Sequence, residues 1–250
     1  MTEFEDKFYS GIRKYMIQEE RNLPNVYRIS SCVYCKRKSY YSKVLKKQSE
    51  PNGKMLSGTL FHSIVPKVVG ELIEFKDVEY EKELELVFDG YKVLGHCDGY
   101  SKDTLFEFKF TAKIDYEEVP LQYILQSNYY AGIANKPKIK IILIHSDTLK
   151  VRCYDISFSQ ELFDSMNRDI LEVHKCISEG KPPLEGPKYS WECRFCPFSK
   201  ECFEERGKID EYNALMKVGE IIKKRIVKSN RAKAIDASKI VNEIMERTKK

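Results

Sequence analysis

The chain has 250 residues, 42% of them hydrophobic and 32% charged, with a net charge of +5. That balance excludes a disordered chain and suits one large globular domain, or a domain with an appendage. No apolar run approaches a bilayer span, and the opening MTEFEDKFYS lacks the apolar region of a signal peptide, so a cytoplasmic protein without membrane attachment is expected. Residues Lys217 to Lys250 carry eleven Lys or Arg against four Asp or Glu, which leaves the preceding 216 residues at about −2. Basicity therefore belongs to a tail and says little about the main domain. Eight cysteines in a cytoplasmic chain point to metal, cluster or redox chemistry rather than disulfides.

In chain order, residues 1–30 are polar and partly helical. Leu60 to Phe75 is predicted as a helix with Leu60, Ile64, Val68 and Leu72 at four-residue steps, bent or bounded at Pro66. Three strands are predicted next: Val78–Val87, Tyr91–Asp98 and Thr104–Phe110. Turn signals at Asp89-Gly90 and Ser101-Lys102-Asp103 separate them, which favours an antiparallel meander. Pro120–Ala134 reads as a helix with proline near its first turn, Lys138–His145 as a buried strand and Gln160–Ile177 as a further helix. A loop with Pro182, Pro183 and Pro187 leads into WECRFCPFSKEC. Beyond Gly207, Leu215, Val218 and Ile222, then Ile240, Ile244 and Met245, suggest two amphipathic helices. The expected layout is an α/β domain over 1–206 and a basic helical tail over 207–250, the domain's core running helix, three strands, helix, strand.

The stretch TLFEFKF, Thr104 to Phe110, alternates. Phe106, Phe108 and Phe110 share one face; Leu105, Glu107 and Lys109 share the other. An acid and an amine two positions apart on so apolar a strand read, alone, as an exposed ion pair of little energetic consequence. The preceding strand, however, ends Gly95-His96-Cys97-Asp98, and a short turn between the strands lets Asp98 approach Glu107. Two carboxylates at close range repel unless a cation lies between them, and oxygen donors suit Mg²⁺ or Mn²⁺.

Gly95-x-x-Asp98 followed by Glu107-x-Lys109 resembles the PD-(D/E)XK nuclease superfamily. With His62 in GTLFHSIV upstream and Gln126-x-x-x-Tyr130 downstream, it is similar in particular to the RecB-like branch. The resemblance implies a restriction-endonuclease-like αβββαβ core. It also implies metal ligation by His62, Asp98, Glu107 and the Phe108 backbone carbonyl, a catalytic role for Asp98, Glu107 and Lys109, and substrate contact by Gln126 and Tyr130. Taken singly, His62 fits a structural helix histidine equally well, and Gln126 and Tyr130 a half-buried helix face.

Cys193, Cys196 and Cys202 follow C-x₂-C-x₅-C spacing, and Cys32 and Cys35 stand far upstream. Spacing leaves zinc and an iron–sulfur cluster equally open, since both accept four thiolates. A RecB-like nuclease with one cysteine before the core and three after it resembles the iron–sulfur nucleases, including the AddB type and the CRISPR-associated Cas-four exonuclease family. That resemblance implies a 4Fe–4S cluster on Cys35, Cys193, Cys196 and Cys202, with Cys32 as the alternative to Cys35. Lys36 stands where that family commonly carries proline. Cys97, Cys153, Cys176, His96, His145 and His174 read as structural, and Trp191 as packing.

The function so implied is metal-dependent cleavage of single-stranded DNA ends or overhangs, with 5′→3′ exonuclease action, in prespacer trimming beside a CRISPR integrase complex. A repair or viral nuclease outside CRISPR and a non-catalytic iron–sulfur DNA adaptor are the rivals. For the tail, a solvated helix, DNA contact and self-association into a homo-oligomer stay open.

Overall fold

A computed structural model describes residues 3–16, 23, 25–46, 53–70, 75–115, 119–187 and 190–216. The chain divides into two compact units, Met1–Gly186 and Pro187–Lys250. Most of the basic tail, the second of its expected helices included, lies outside the described residues, as does the side chain of Trp191.

The first unit contains α1 (Glu3–Met16), β1 (Val26–Arg28), α2 (Ile29–Cys32), α3 (Lys36–Val44), α4 (Gly53–Val69), β2 (Glu79–Phe88), β3 (Tyr91–Tyr100), β4 (Thr104–Thr111), α5 (Leu121–Ile133), β5 (Lys138–His145), β6 (Val151–Ser157) and α6 (Gln160–Glu179). From α4 to β5 the order is αβββαβ, the restriction-endonuclease-like core that the sequence led us to expect. The six strands form one mixed sheet, β1-β3-β4-β5-β6, with β2 on the other edge of β3. The β2–β3 hairpin turns at Asp89-Gly90, where Gly90 has φ +82° and meets the left-handed requirement of a tight turn.

The meander expectation holds for β2 and β3 but only briefly for β4. Strands β3 and β4 pair antiparallel at Gly99–Phe106 and Tyr100–Leu105 alone, whereas β4 runs parallel to β5 over its full length. On the same edge of β3, β1 pairs parallel at Lys92–Leu94. The edge from Gly95 to Asp98 is thereby left without a strand between β1 and β4.

Phe106 and Phe108 pack with Val65 of α4 and Ile142 of β5, flanked by Phe61, Val69 and Phe75. The expected apolar stripe of α4 is corrected by one position. Leu60, Ile64 and Val68 are 48%, 49% and 63% exposed, while Phe61, Val65 and Val69 face the sheet, and the helix starts earlier and runs through Pro66. Four-residue spacing fits two adjacent stripes of this helix, and the Phe-lined sheet face selects between them. In the first unit β1, α2, α3 and β6 escaped the sequence, as did the helices Ser190–Arg194 and Ser199–Glu205 of the second. Strand β6 is an edge strand with mostly exposed residues, so it carries no alternating signal.

Helix α5 covers the opposite face. Asn128, 1% exposed, accepts from Ser159 N–H (2.8 Å) and donates to Ser159 C=O (2.9 Å), while Ser159 caps α6 through Leu162 N–H. One buried amide thus ties α5 to the start of α6. At α3, buried Lys36 meets Glu172 (2.6 Å), Glu185 (2.7 Å) and Asp169 (3.4 Å), and buried Arg37 donates to the Pro183 carbonyl (2.7 Å). Lys36 therefore has a structural role of its own in this chain. No helix among the described residues is long and apolar enough to cross a membrane.

The second unit contains α7 (Ser190–Arg194) and α8 (Ser199–Glu205). Cys196 N–H bonds to Cys193 C=O (3.3 Å) and Ser199 N–H to Cys196 C=O (3.3 Å), a pair of tight turns that carries two of the three thiols. Cys202 lies on α8, whose Phe203 is buried.

Candidate metal centre

Gly95 accounts for the first half of the site. A Cβ there would stand 2.3 Å from Tyr130 Cε1 and 2.8 Å from Ile29 Cδ1, so only glycine admits the α5 tyrosine against the unpaired edge of β3. Asp98, 8% exposed, follows on that edge, and the β3–β4 register, carried one step past Gly99–Phe106, sets it opposite Glu107. Its Oδ2 accepts from Phe108 N–H at 2.6 Å and its Oδ1 lies 3.0 Å from His62 Nδ1 of α4. Because N–H and C=O of one strand residue leave the same edge, the Phe108 carbonyl also projects toward Asp98.

Glu107 is 0% exposed. Neither of its oxygens receives a well-formed hydrogen bond, although Oε1 is in ionic contact with Lys109 Nζ. Burial pushes its carboxyl up to about 7; the Lys109 ammonium opposes this shift and the Asp98 charge adds to it. Burial alone would lower the Lys109 pKa, but the carboxylates of Glu107 and Asp98 outweigh it and raise the pKa. His62 is likewise raised against burial, by its hydrogen bond to Asp98 and by that residue's charge.

Lys109 Nζ donates to Gln126 Oε1 (3.3 Å), and Gln126 Nε2 donates to Tyr130 OH (3.1 Å). The Tyr123 ring faces the same ammonium at 5.5 Å. The contacts form two groups, His62–Asp98–Phe108 N–H and Glu107–Lys109–Gln126–Tyr130, which meet at the adjacent β4 residues Glu107 and Phe108 and act on one another through their charges.

One acid was missed. A nitrogen of His62 and carboxylate oxygens of Glu81 and Asp98 all lie within 4.8 Å of one another. Glu81 is exposed on the sheet surface; partial desolvation beside α4, then the Asp98 charge, pushes its carboxyl up. In the sequence Glu81 is one of four alternating acids, Glu79, Glu81, Glu83 and Glu85, and nothing local distinguishes it. Counting back from the Asp89-Gly90 turn would have found it, because the hairpin register sets position 81 against 98.

The donor set fits a hard divalent cation: a buried carboxylate with one unpartnered oxygen, a second acid and an imidazole. Other histidines have structural partners. His96 pairs with Glu83 (3.2 Å), His174 Nδ1 meets Tyr27 OH (3.1 Å), and His145 accepts from the backbone of Asp147 and Thr148. Cys97 is buried and Cys153 is exposed.

No protein-family model matches the chain, and no curated protein matches its sequence. Among solved structures, that titled SSO0001 is similar over 78% of this chain and 94% of its own, with a TM-score of 0.58 and 19% identity. An alkaline exonuclease from Laribacter hongkongensis aligns over 70% of this chain and 93% of its own, with a TM-score of 0.46 and 12% identity. A phage-related exonuclease from Haemophilus somnus 129PT aligns over 61% and 83%, with a TM-score of 0.47 and 14% identity. The likeness to the first of these is one of fold.

Proposed function

We propose that this chain is a metal-dependent DNA nuclease whose centre is built from His62, Asp98, Glu107, the Phe108 carbonyl and Lys109. The observation that carries the reading is Glu107: a fully buried carboxylate opposite that of Asp98, with the Lys109 ammonium on Oε1 and no partner on Oε2. One ammonium does not neutralise two facing carboxylates, and the remaining charge is costly in a protein interior unless a further cation meets it. The exonucleases among the structures of similar outline agree with the reading without carrying it. A bound Mg²⁺ or Mn²⁺ would polarise a phosphoryl oxygen and acidify a water.

The chain's own residues supply the rest. Lys109, with its pKa raised, keeps its proton near neutrality. It is therefore a hydrogen-bond donor and a charge neutraliser for the phosphate, not the base that activates water. Gln126 holds the ammonium from behind and Tyr130 holds Gln126. Both are positioning residues; the Tyr123 face beside them offers a surface for a base to stack on.

Single-stranded ends or overhangs as substrate, 5′→3′ polarity and prespacer trimming beside a CRISPR integrase complex are the finer reading, supported by the motif order. Incubation of the full-length protein with Mn²⁺ and DNA labelled at either end tests both levels. Cleavage of single strands from the 5′ end, lost on the double change Glu107→Ala and Lys109→Ala, is expected. Intact DNA under Mn²⁺ and Mg²⁺ would sink the nuclease reading, and cleavage of duplex ends alone would sink the substrate.

The cysteine reading rests on the resemblance to the iron–sulfur nucleases, since spacing by itself leaves zinc equally open. That resemblance implies Cys35, with Cys32 as the alternative, as the fourth donor beside Cys193, Cys196 and Cys202 for a 4Fe–4S cluster. Iron and sulfide analysis of anaerobically purified protein tests it: about four of each per chain is expected, and zinc instead would exclude the cluster.

A further inference from the structure

Strand β2 carries four acids on one face, and three of them have cationic partners: Glu79 with Lys82 (2.7 Å), Glu83 with His96 (3.2 Å) and Glu85 with Lys92 (2.9 Å). Glu81 has no Lys or Arg partner among the described residues. It stands instead at the register position of Asp98, within 4.8 Å of ligand atoms of Asp98 and His62. The ladder confirms that this position is unusual. Tyr80 pairs with Gly99 and Lys82 with Cys97, but the pairing between 81 and 98 is missing, and Glu81 takes φ +51° in the middle of a strand. That conformation costs a residue other than glycine about 1–3 kcal/mol.

A second observation points to a cation beside Asp98. Glu107, opposite Asp98 on the other neighbouring strand, is fully buried with an unbonded oxygen. The Asp98 carboxylate thus has an acid on either side, Glu81 without a Lys or Arg partner among the described residues and Glu107 with Lys109 on one oxygen alone, while its own oxygens meet His62 and Phe108 N–H. Oxygen and nitrogen donors around one Mg²⁺ or Mn²⁺ stand at most about 4.4 Å apart, twice a metal–ligand bond. The spread of the His62, Glu81 and Asp98 atoms is compatible with that after a small adjustment.

We propose that Glu81 is a further cation ligand, joining His62 and Asp98 on the side of Asp98 away from Glu107. The inference rests on the metal-dependent reading above and deepens it. Its consequence is that β2, β3 and β4 each contribute one carboxylate, so the centre holds its ion with an additional negative charge.

Manganese binding to the full-length protein, read as loss of the free Mn²⁺ electron-paramagnetic-resonance signal, tests it without DNA. Glu81→Gln is expected to weaken Mn²⁺ binding about tenfold or more, as loss of one charged ligand does. Glu83→Gln removes the same charge from the same strand face and is expected to stay within about twofold. Glu81→Gly removes the carboxylate but suits the positive φ, so it separates ligand loss from misfolding: a thermal midpoint no lower than that of the unaltered chain, with weakened Mn²⁺ binding, is expected. Unchanged affinity in Glu81→Gln, with Asp98→Asn weakened, would overturn the Glu81 assignment and leave the metal centre standing. Absence of Mn²⁺ binding by the unaltered protein would overturn both.

Discussion

Asp98 Oδ2 accepts the Phe108 backbone N–H at 2.6 Å just past the last β3–β4 ladder pair. A side chain has taken over where the main-chain partner of β4 is lost, and this holds the two strands at the spacing of the site. Asp98→Ala leaves that buried N–H without its acceptor and removes the His62 contact. It should lower metal-free stability by about 1–3 kcal/mol in urea unfolding. Glu107→Gln, which removes a buried charge, should raise it.

The pH dependence follows from Glu107. Its carboxyl titrates near 4.5 in the unfolded chain and near 7 in the folded one, so the folded state binds the extra proton between those values. Metal-free stability should therefore fall as pH rises from about 4.5 to 7, by a few kcal/mol at most. His62, also raised, contributes a loss in the same direction at higher pH. Chemical denaturation across that range should show the slope in the unaltered chain, a flatter profile in Glu107→Gln, and recovery on addition of Mn²⁺ near neutrality.

Lys109→Met keeps the length of the side chain and removes the donor. DNA cleavage should fall by about 10²- to 10⁴-fold while Mn²⁺ binding persists. Parallel cleavage and binding measurements decide it, and equal loss of both would assign the lysine to ion binding instead.

Gly95→Ala brings a methyl to 2.3 Å from the Tyr130 ring, which cannot retreat because it is 2% exposed. The expected cost is about 1–3 kcal/mol of stability, seen as a lower thermal midpoint. Displacement of Tyr130 should also loosen its hold on Gln126 and slow cleavage. Gly180→Ala, at a helix C-terminus remote from the site, should lower stability alone.

Much of the centre was legible in the chain itself. Alternation in TLFEFKF assigned Glu107 and Lys109 to one face and the phenylalanines to the other, because strand periodicity is a local property of the backbone. The four-residue step from Gln126 to Tyr130 fixed their shared helix face for the same reason. Strand limits over β2 to β5 and the Asp89-Gly90 turn were likewise set by local patterning and turn chemistry. Spacing could not choose between the two stripes of α4, because either is amphipathic until the Phe106–Phe108 face is present to bury one.

The tertiary structure alone decided that β3 pairs with three strands and leaves Gly95–Asp98 uncovered, that Tyr130 fills that gap, and that Glu81 differs from its neighbouring acids. These depend on which segments meet across many intervening residues. The free energy of burying Glu107 or of aiming Glu81 at Asp98 arises only when those contacts form.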